Sequence, residues 1–459
     1  MKHAASPLEP RDPRELMRRS PMSHAQIIAV GVTMGLSALD GFDVLAVTLA
    51  APGLTRDWHI SHGALGAVLS AGLLGMAIGS LLLAPLADLL GRRSLLFLTL
   101  ALMGTGMGMS GSSHSVLELS LWRVVTGLGI GAMIPVINPL ATEFANARRR
   151  DLAVSLMAVG YPVGGVAGAG AATLLLRTHH WSVLFFLGAG LSLIAAAVVW
   201  LWLPEPLSFL VERPRSDALR RVNDLLARFG VPPVDSLPAP KTRLARQRLR
   251  DLLGVRSIAG TLYVTLLNLL YVIAVYYVLS WVPQLVADLG FSPADAASVS
   301  FAANLAGIAG GVLFGWTATQ VPVRPLAAGV FAAFALLTVA FSVAAADLYV
   351  LRMLGAALGF FLFGGMCALH SIVSRSFSDH IRASGAGFVM GIGRAGSALV
   401  PVVTGLMFSF GVGRTSIALA LAGGVLLAAG LALRLRSLES QSTEEVPENI
   451  HETAEISRP

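Results

Sequence analysis

The sequence predicts an all-α polytopic membrane protein whose twelve transmembrane helices form two pseudo-symmetric six-helix bundles. Three observations lead to this fold class. The composition is strongly apolar, and the apolar residues fall into twelve segments of membrane-spanning length. Motifs of the first six segments also return in the last six at a nearly constant offset.

The composition separates this chain from soluble proteins. Of its 459 residues, 55% are hydrophobic and 13% are charged, and the mean hydropathy is +0.73. Soluble domains carry about 25% charged residues. The first 24 residues are polar, and the apolar segment after them is too long for the core of a signal peptide. The lone cysteine, Cys367, excludes a disulfide framework within the chain and a cysteine metal cluster.

Twelve apolar segments account for most of the chain. A helix needs about 20 apolar residues to cross a bilayer, and each segment approaches or exceeds that length. The segments are 25–51, 63–86, 94–112, 117–141, 152–176, 182–203, 257–283, 295–318, 325–345, 348–374, 383–407 and 413–435.

The basic residues orient these segments. With both termini in the cytoplasm, all but six of the 33 Lys and Arg residues lie on the cytoplasmic side. The six exceptions are Arg56, Arg177 and Arg414 outside, and Arg123, Arg352 and Arg394 within segments. This bias follows the positive-inside rule. The net charge of +7 is therefore a signal of topology, and nucleic-acid binding is excluded.

Polar stretches divide the chain into five regions. Residues 1–24 form a cytoplasmic tail, and residues 25–203 form the first six-helix bundle. A cytoplasmic linker covers 204–256, and the second bundle covers 257–435. The glutamate-rich stretch 436–459 is predicted to be disordered.

The linker contains one amphipathic stretch. Residues 241–254 read KTRLARQRLRDLLG, with leucines at helical spacing among basic side chains. This pattern favours a helix on the cytoplasmic membrane surface, held by anionic lipid, over a binding site for a regulatory partner.

Three weak internal matches support a repeat. The loop at Ala84 corresponds to the loop at Gly315, an offset of 231 residues. The openings of segments four and ten, at Arg123 and Arg352, are offset by 229 residues. GYPVGG at residues 160–165 corresponds to GIGRAG at residues 391–396, again offset by 231. Such repeats place a substrate site between the halves, near the middle of the membrane.

Two carboxylates lie in the middle of the first segment. Asp40 and Asp43 are three residues apart, which places both side chains on one helix face. A charge at the centre of a bilayer costs about 2.5–3.5 kcal/mol on insertion scales, so such residues are usually functional. A low dielectric favours the protonated form of a carboxyl group. The pair is therefore predicted to couple proton binding to transport, and the alternative is a structural pair neutralised by an arginine. The sequence leaves open which of the two titrates.

Together these features resemble the major facilitator superfamily, and more narrowly its aromatic acid:H+ symporters. DGFD at residues 40–43 is similar to the D-G-x-D pattern in the first helix of that family. ADLLGRR at residues 87–93 is similar to the superfamily loop G-x-x-x-D-R-x-G-R-R. Residues 123–143 are similar to the family's fourth helix, with its arginine and terminal glutamate. The resemblance covers essentially all twelve segments and implies transport by alternating access.

The first inner loop departs from the superfamily pattern. Ala84 stands for its leading glycine, and Leu89 for the basic residue after the aspartate. In the second half, Thr319 and Gln320 stand where the pattern has D-R. The cytoplasmic contact between the halves is therefore expected to be weaker on that side.

Five residues of the inner loops are predicted to control conformation rather than to bind substrate. The glycine permits a tight turn, and the charges bind helix ends and neighbouring loops. These residues are Asp88, Gly91, Arg92, Arg93 and Glu143.

Three basic side chains within segments are candidates for binding or proton transfer. Arg123 needs a carboxylate partner, either Asp43 or a substrate, unless it reaches the outer surface by snorkelling. Arg394 lies about 17 Å into segment eleven at 1.5 Å per residue. Its planar guanidinium suits a substrate carboxylate, and a permanent salt bridge is the alternative. His370 could bind a ring hydroxyl or relay a proton, or it could be an ordinary hydrogen-bonding group.

Aromatic and amide side chains complete the predicted binding site. Tyr271 and Tyr277 of segment seven are predicted to stack on an aromatic ring, against the alternative of helix packing. Asn138, Tyr161 and Asn304 are further candidates for the cavity wall. GYPVGG is similar to a motif of superfamily exporters, although close packing around small residues is the favoured interpretation.

The sequence therefore predicts a proton-coupled symporter that imports an aromatic carboxylate such as a hydroxybenzoate. The proton is the coupling ion, and no other cofactor or metal is expected. The expected partners are the aromatic acid and membrane lipid, and the protein is expected to be a monomer in a bacterial inner (plasma) membrane. An enzyme is excluded because the segments contain no nucleophile–base pair, metal-ligand spacing or phosphate-binding loop. The alternatives are a proton-driven exporter of organic anions and a non-transporting sensor of aromatic acids.

Overall fold

Twelve long helices make up most of the protein. The structure is a computed structural model that describes residues 12–212, 217–238, 255–377 and 382–444. Twelve of its helices are long and apolar enough to cross a membrane, and the described ranges contain no strand. These findings confirm the predicted fold class. The helices are α1 (His24–Trp58), α2 (His62–Leu82), α3 (Arg92–Gly111), α4 (Val116–Phe144), α5 (Arg150–Leu175), α6 (Val183–Trp202), α7 (Val255–Ala287), α8 (Pro293–Thr317), α9 (Val323–Val343), α10 (Leu348–Arg375), α11 (Arg382–Ser409) and α12 (Arg414–Glu444).

The bundle has two ends, named here by their connections. The linker end is where α1 begins and where α6 leads into the linker. The opposite end is where α1 ends and α2 begins. At the linker end, Ser23 and Gln26 form a reciprocal capping box at the start of α1. The Gln26 amide also donates to the carbonyl of Phe144, so the start of α1 is tied to the end of α4.

Helix packing repeats between the halves. Within the first half, α1 packs on α5, α2 on α4, and α3 on α6. Within the second half, α7 packs on α11, α8 on α10, and α9 on α12. The halves touch through α2 with α11 and through α5 with α8, which are equivalent pairs. The packing is therefore that of two related six-helix units with a space between them.

Glycines permit the close packing inside each half. A Cβ atom on Gly131 of α4 would collide with the Met76 carbonyl of α2. In the second half, a Cβ atom on Gly359 of α10 would collide with the Ala303 carbonyl of α8. Such close contacts between backbones are typical of helices that associate in lipid.

The halves are joined by hydrogen bonds near the opposite end. Within the described residues, four such bonds are Thr55 Oγ1 to Gln284 Oε1 (3.1 Å), His62 Nε2 with Asp288 Oδ2 (3.0 Å), Gly63 N to Ser409 Oγ (3.0 Å) and Val402 N to Ser70 Oγ (3.0 Å). These contacts close the space between the halves at this end.

Short helices cover the first half at the linker end. They are Pro13–Arg19 in the N-terminal tail, and Leu207–Glu212 and Ala218–Arg228 in the linker. The linker ring of Phe229 packs on Phe144 of α4 with ring centres 6.0 Å apart. The first part of the linker is therefore part of the core of the first half, which the sequence analysis did not predict.

Two other predictions concern the ends of regions. The predicted amphipathic helix at residues 241–254 lies outside the described residues. At the C-terminus, α12 continues to Glu444, eight residues beyond Arg436. The expectation of disorder is therefore wrong for residues 437–444, and the remaining residues 445–459 lie outside the described ranges.

Candidate functional site

The two acids of the first segment lie in the middle of α1 and are buried. Asp40 is 1% exposed and Asp43 is 0% exposed. Within the described part of the chain, none of their four carboxylate oxygens has a hydrogen-bond partner. An ionised carboxyl group in that position is costly without compensation. Each acid therefore needs either a proton or a nearby cation.

The acids interact with different arginines. Asp40 interacts electrostatically with Arg394 of α11, which belongs to the second half. Asp43 interacts with Arg123 of α4, which belongs to the same half as the acid. The acids also interact with each other, as their spacing predicts. One acid–arginine pair thus crosses between the halves, and the other stays within one half.

Five polar residues from five helices meet between the halves. We call them the central polar cluster: Asp40 (α1), Tyr161 (α5), Tyr276 (α7), His370 (α10) and Arg394 (α11). Tyr161 and Tyr276 interact with each other, and each also interacts with Asp40 and Arg394. His370 interacts with Arg394. The fold thus brings together four residues that the sequence predicted for the site: Asp40, Tyr161, His370 and Arg394.

Four of the five members of the cluster, all except Asp40, remain accessible to water. Tyr161, Tyr276 and Arg394 are half-buried and His370 is exposed, although protein surrounds the two tyrosines and the histidine. That combination is expected of side chains on the wall of an internal cavity. His370 Nδ1 lies 2.7 Å from the Met366 carbonyl oxygen. Because a carbonyl can only accept, Nδ1 carries a proton, and Nε2 is left to bind another group.

The glycine between the acids positions Tyr161. A Cβ atom on Gly41 would lie 3.1 Å from Tyr161 Cα and closer still to the Tyr161 carbonyl group. On α5, a Cβ atom on Gly160 or Gly164 would likewise collide with carbonyl oxygens of α1. The packing interpretation of GYPVGG is therefore confirmed, and this contact sets Tyr161 beside Asp40.

Arg123 is enclosed by the first half. It is 2% exposed, so it does not snorkel to the surface. Its guanidinium donates to the backbone carbonyl of Asp43 (3.2 Å) and to the Met107 sulfur (3.2 Å), and lies 5.9 Å from the centre of the Phe185 ring. A thioether is a weak acceptor, and Nε has no partner among the described residues. The Arg123 guanidinium can therefore donate further hydrogen bonds.

Arg123 has the side chain of Asp43 on one side and a small cavity on the other. On one side, Gly188 of α6 makes room for Asp43, since a Cβ atom there would lie 2.9 Å from Asp43 Oδ1. On the other side, Arg123 borders a cavity of about 20 Å³ that Tyr276 and Ser280 of α7 also line. That volume holds about one water molecule. Arg123 and Tyr276 of the central polar cluster thus border the same small cavity.

The structure corrects the assignment of the tyrosines on α7. Tyr271 is 0% exposed, donates to the Leu362 carbonyl (2.8 Å) and packs on Phe331 with ring centres 4.4 Å apart. Tyr277 is 3% exposed and belongs to the hydrophobic core. The prediction that these two rings line the cavity is wrong. Tyr276 lies between them in sequence and points to the cavity, because only a narrow face of α7 does so.

Asn304 lies in a contact between two helices, whereas Asn138 lies toward the linker end of α4. Asn304 is 3% exposed and its amide donates to the Ser300 carbonyl within α8 (2.8 Å). Its other amide atom faces Gly165 in the contact between α5 and α8. Asn138 is exposed, and at 1.5 Å per residue it lies about 22 Å from Arg123 along α4 toward the linker end. The structure therefore does not support the predicted role of Asn304 in the wall of the binding site, and that of Asn138 stays a prediction.

The inner-loop residues form an ion-pair network at the linker end. Gly91 has φ of +94°, a conformation that favours glycine and that sets the turn into α3. The guanidinium of Arg92 pairs with Glu143 of α4, and its backbone N–H donates to Glu205 (2.7 Å). The Arg93 guanidinium donates to a backbone carbonyl of α6 (2.7 Å). The side chain of Asp88 lies outside what the structure describes.

Glu205 is a member of this network that the sequence analysis missed. Burial raises the pKa of Glu205, while hydrogen bonds from the backbone of Arg93 and Arg92 oppose that shift. The available signal was an acidic residue between two prolines directly after α6. Its position ties the start of the linker to the loop between α2 and α3.

The side chains of the central polar cluster define what the site can do chemically. Within the described ranges, no group of three or more His, Cys, Asp and Glu residues could hold a metal ion. An arginine, a histidine, two phenols and a carboxyl group offer donors to an anion and sites for a proton. A twelve-helix bundle with such a cluster between two related halves defines a polytopic membrane transporter rather than an enzyme.

Comparison with known proteins identifies the family. The chain matches the family model of the Major Facilitator Superfamily over residues 33–401 and 264–457, and it belongs to that superfamily. It is 28% identical over 406 residues to the gallate transporter of Pseudomonas putida, covering 88% of this chain and 90% of the relative. It is 32% identical over 397 residues to the 4-hydroxybenzoate transporter PcaK of Pseudomonas aeruginosa, covering 84% and 87%. The resemblance to aromatic acid transporters is thereby confirmed.

A solved structure shows the same fold. The inward open conformation of the xylose transporter XylE from Escherichia coli matches with a TM-score of 0.70 and 16% sequence identity, covering 91% of this chain and 100% of that one. At this level of identity the match supports the fold alone.

Proposed function

We propose that the protein imports an aromatic carboxylate together with protons by alternating access. The observation that carries this proposal is the electrostatic interaction between Asp40 on α1 and Arg394 on α11, across the two halves and beside side chains that are accessible to water. Relatives named for gallate and 4-hydroxybenzoate transport support the class of substrate.

The chemistry of Arg394 suits a carboxylate substrate. A guanidinium can donate two parallel hydrogen bonds to a carboxylate, and this interaction strengthens when water is excluded. Asp40 competes for the same cation while it is ionised. A proton on Asp40 releases Arg394 for the substrate, so that proton and substrate bind together and the charge of the site stays constant.

The remaining members of the cluster recognise the rest of the substrate. His370 Nε2 and the phenol groups of Tyr161 and Tyr276 can exchange hydrogen bonds with ring hydroxyls. Asp43 acts within the first half, where its charge compensates Arg123. The coupling acid in this proposal is therefore Asp40, and Asp43 supports it indirectly.

The orientation follows from the distribution of charge. The positive-inside rule favours a cytoplasmic linker end, because most of the basic residues lie on that side. The contacts at the opposite end then close the outer side, and the central polar cluster faces inward. Release into the cytoplasm follows because its higher pH removes the proton from Asp40, which recaptures Arg394.

Uptake into proteoliposomes tests the proposal. With an acidic exterior, we expect accumulation of one or more of 4-hydroxybenzoate, gallate, benzoate and 3-(3-hydroxyphenyl)propionate, and loss of accumulation when an ionophore collapses the pH gradient. Arg394→Gln should weaken substrate binding about 10- to 100-fold, the usual effect of removing a hydrogen-bonded charge. Asp40→Asn should abolish accumulation but retain exchange of substrate across the membrane. Uptake that ignores the gradient would refute the proton coupling.

The same vesicles separate the alternatives. A sensor would bind the acids without any flux. An exporter would accumulate substrate only when the gradient is reversed. The motif that favoured export, GYPVGG, is explained here by the packing of α5 on α1.

A further inference from the structure

We propose that a hydrogen-bonded chain of four side chains is the gate that holds the opposite end closed. The chain runs from Thr55 through Gln284 and Asp288 to His62, and we call it the His62 gate. It requires only that the two halves alternate, which is a property of the transport class. Its test therefore does not depend on the substrate or on the coupling ion.

The contacts of the gate alternate between the halves. The Thr55 hydroxyl at the end of α1 lies 3.1 Å from Gln284 Oε1 of α7, and it shares its single proton between that oxygen and the Ala51 carbonyl (2.7 Å). Gln284 Nε2 donates to Asp288 Oδ1 (2.8 Å), and Asp288 Oδ2 lies 3.0 Å from Nε2 of His62 at the start of α2. The first half thus contributes both ends of the chain, and the second half contributes its middle. The halves cannot separate here without breaking both links.

Aromatic contacts hold the histidine ring in place. The His62 ring stacks on Trp281 of α7 with ring centres 6.0 Å apart and an angle of 29°, and it lies 5.6 Å from Phe408 of α11. Trp281 and Phe408 also contact each other at 5.0 Å. Helices α7 and α11 of the second half therefore pack against the His62 ring of the first half.

The exposure of the pair suits a contact that must break in every cycle. The side chains of His62 and Asp288 are 36% and 39% exposed. Exposed ion pairs of this kind shift an equilibrium only about two- to fivefold. A stronger contact would trap one conformation, whereas this one biases the equilibrium and still releases.

A second histidine–aspartate pair provides a matched control. His180 Nε2 lies 3.0 Å from Asp57 Oδ2, with side chains 55% and 36% exposed. This pair is at the same end and has the same chemistry, but both residues belong to the first half. Removing it disturbs the same surface without cutting a link between the halves.

Distance measurements by electron paramagnetic resonance test the gate on the full-length protein. Spin labels on Ser112→Cys and Ala346→Cys report the separation of the halves at the opposite end, since these exposed positions lie in the α3–α4 and α9–α10 connections. The background carries Cys367→Ser, because the native cysteine is exposed and would be labelled. We expect His62→Ala and Asp288→Ala each to raise the ratio of open to closed molecules about two- to fivefold.

The pattern across variants decides the proposal. The double variant His62→Ala, Asp288→Ala should shift the ratio by less than the product of the two single shifts, because both variants remove the same contact between His62 and Asp288. The exchanged variant His62→Asp, Asp288→His should restore part of the closed population, because it rebuilds the His–Asp contact but not the stacking of the His62 ring on Trp281. This partial return also guards against an effect of misfolding. Unchanged distances in both single variants would overturn the gate, as would an equal shift in the His180→Ala control.

Discussion

Replacing Gly41 by alanine tests the contact that builds the site. Gly41 lies between the two acids on α1, and the Tyr161 backbone of α5 lies directly against it. We expect Gly41→Ala to lower both the stability of the protein and the uptake of its substrate. The cause is a forced separation of α1 from α5, which moves Tyr161 away from Asp40.

The structure gives the size of this effect. An alanine Cβ atom would lie 2.9 Å from the Tyr161 carbonyl carbon and 3.1 Å from its Cα, whereas ordinary contact begins at 3.4 Å. Both partners are backbone atoms, which cannot rotate away. Forcing extra atoms into a packed core costs about 1–3 kcal/mol. Alanine recovers up to about 1 kcal/mol through its higher helix propensity, so the two effects must be separated.

Gly31→Ala on the same helix separates them. Nothing lies within 4 Å of a Cβ atom at Gly31, so this variant gains helix propensity without a collision. The difference between the two variants therefore isolates the packing cost of about 1–3 kcal/mol. We would measure the apparent Tm of both purified variants in one detergent, together with uptake into proteoliposomes. Equal Tm values and equal uptake for Gly31→Ala and Gly41→Ala would refute the reasoning.

Two further predictions concern the tyrosines of α7 and the linker-end network. Tyr276→Phe should raise the KM for uptake several-fold, because it removes a hydroxyl from the central polar cluster. Tyr271→Phe should leave KM unchanged and should lower the free energy of unfolding by about 0.5–1.5 kcal/mol, because it loses the hydrogen bond to Leu362. A KM effect in Tyr271→Phe alone would contradict the corrected assignment of these tyrosines. Burial raises the pKa of Glu205 in the folded protein. Its protonated form therefore stabilises the fold fully below the unfolded pKa of about 4.3, and this stabilisation is lost as the pH rises through the folded pKa. The Tm of Glu205→Gln, measured against that of the wild type, should therefore increase between about pH 4 and pH 7, and a difference that stays constant with pH would speak against a raised pKa.

The fold could be predicted because its causes are local and repeated. Twelve apolar segments of sufficient length specify twelve helices, and the offset of the motifs specifies the related halves. The site was harder to predict because it depends on which face of each helix turns inward. Three tyrosines within seven residues of α7 point in different directions, and only Tyr276 meets the cluster. Glu205 and Gly188 were missed because each acts through a contact with a residue distant in sequence.

The two acids of α1 show most clearly what helical spacing can and cannot establish. A separation of three residues turns a side chain by about 60° from its predecessor, since each residue advances about 100° around the helix. On an exposed surface, that difference leaves two side chains facing the same environment. At α1 it does not, because several helices of both halves pack around it. Asp40 is turned to Arg394 of the second half, whereas Asp43 is turned to Arg123 and Gly188 of the first. The relation between Asp40 and Arg394 changes whenever the halves move, and the relation between Asp43 and Arg123 does not. In the proposed mechanism, a proton on Asp40 is therefore linked to the movement of the halves, and Asp43 keeps its interaction with Arg123 within the first half.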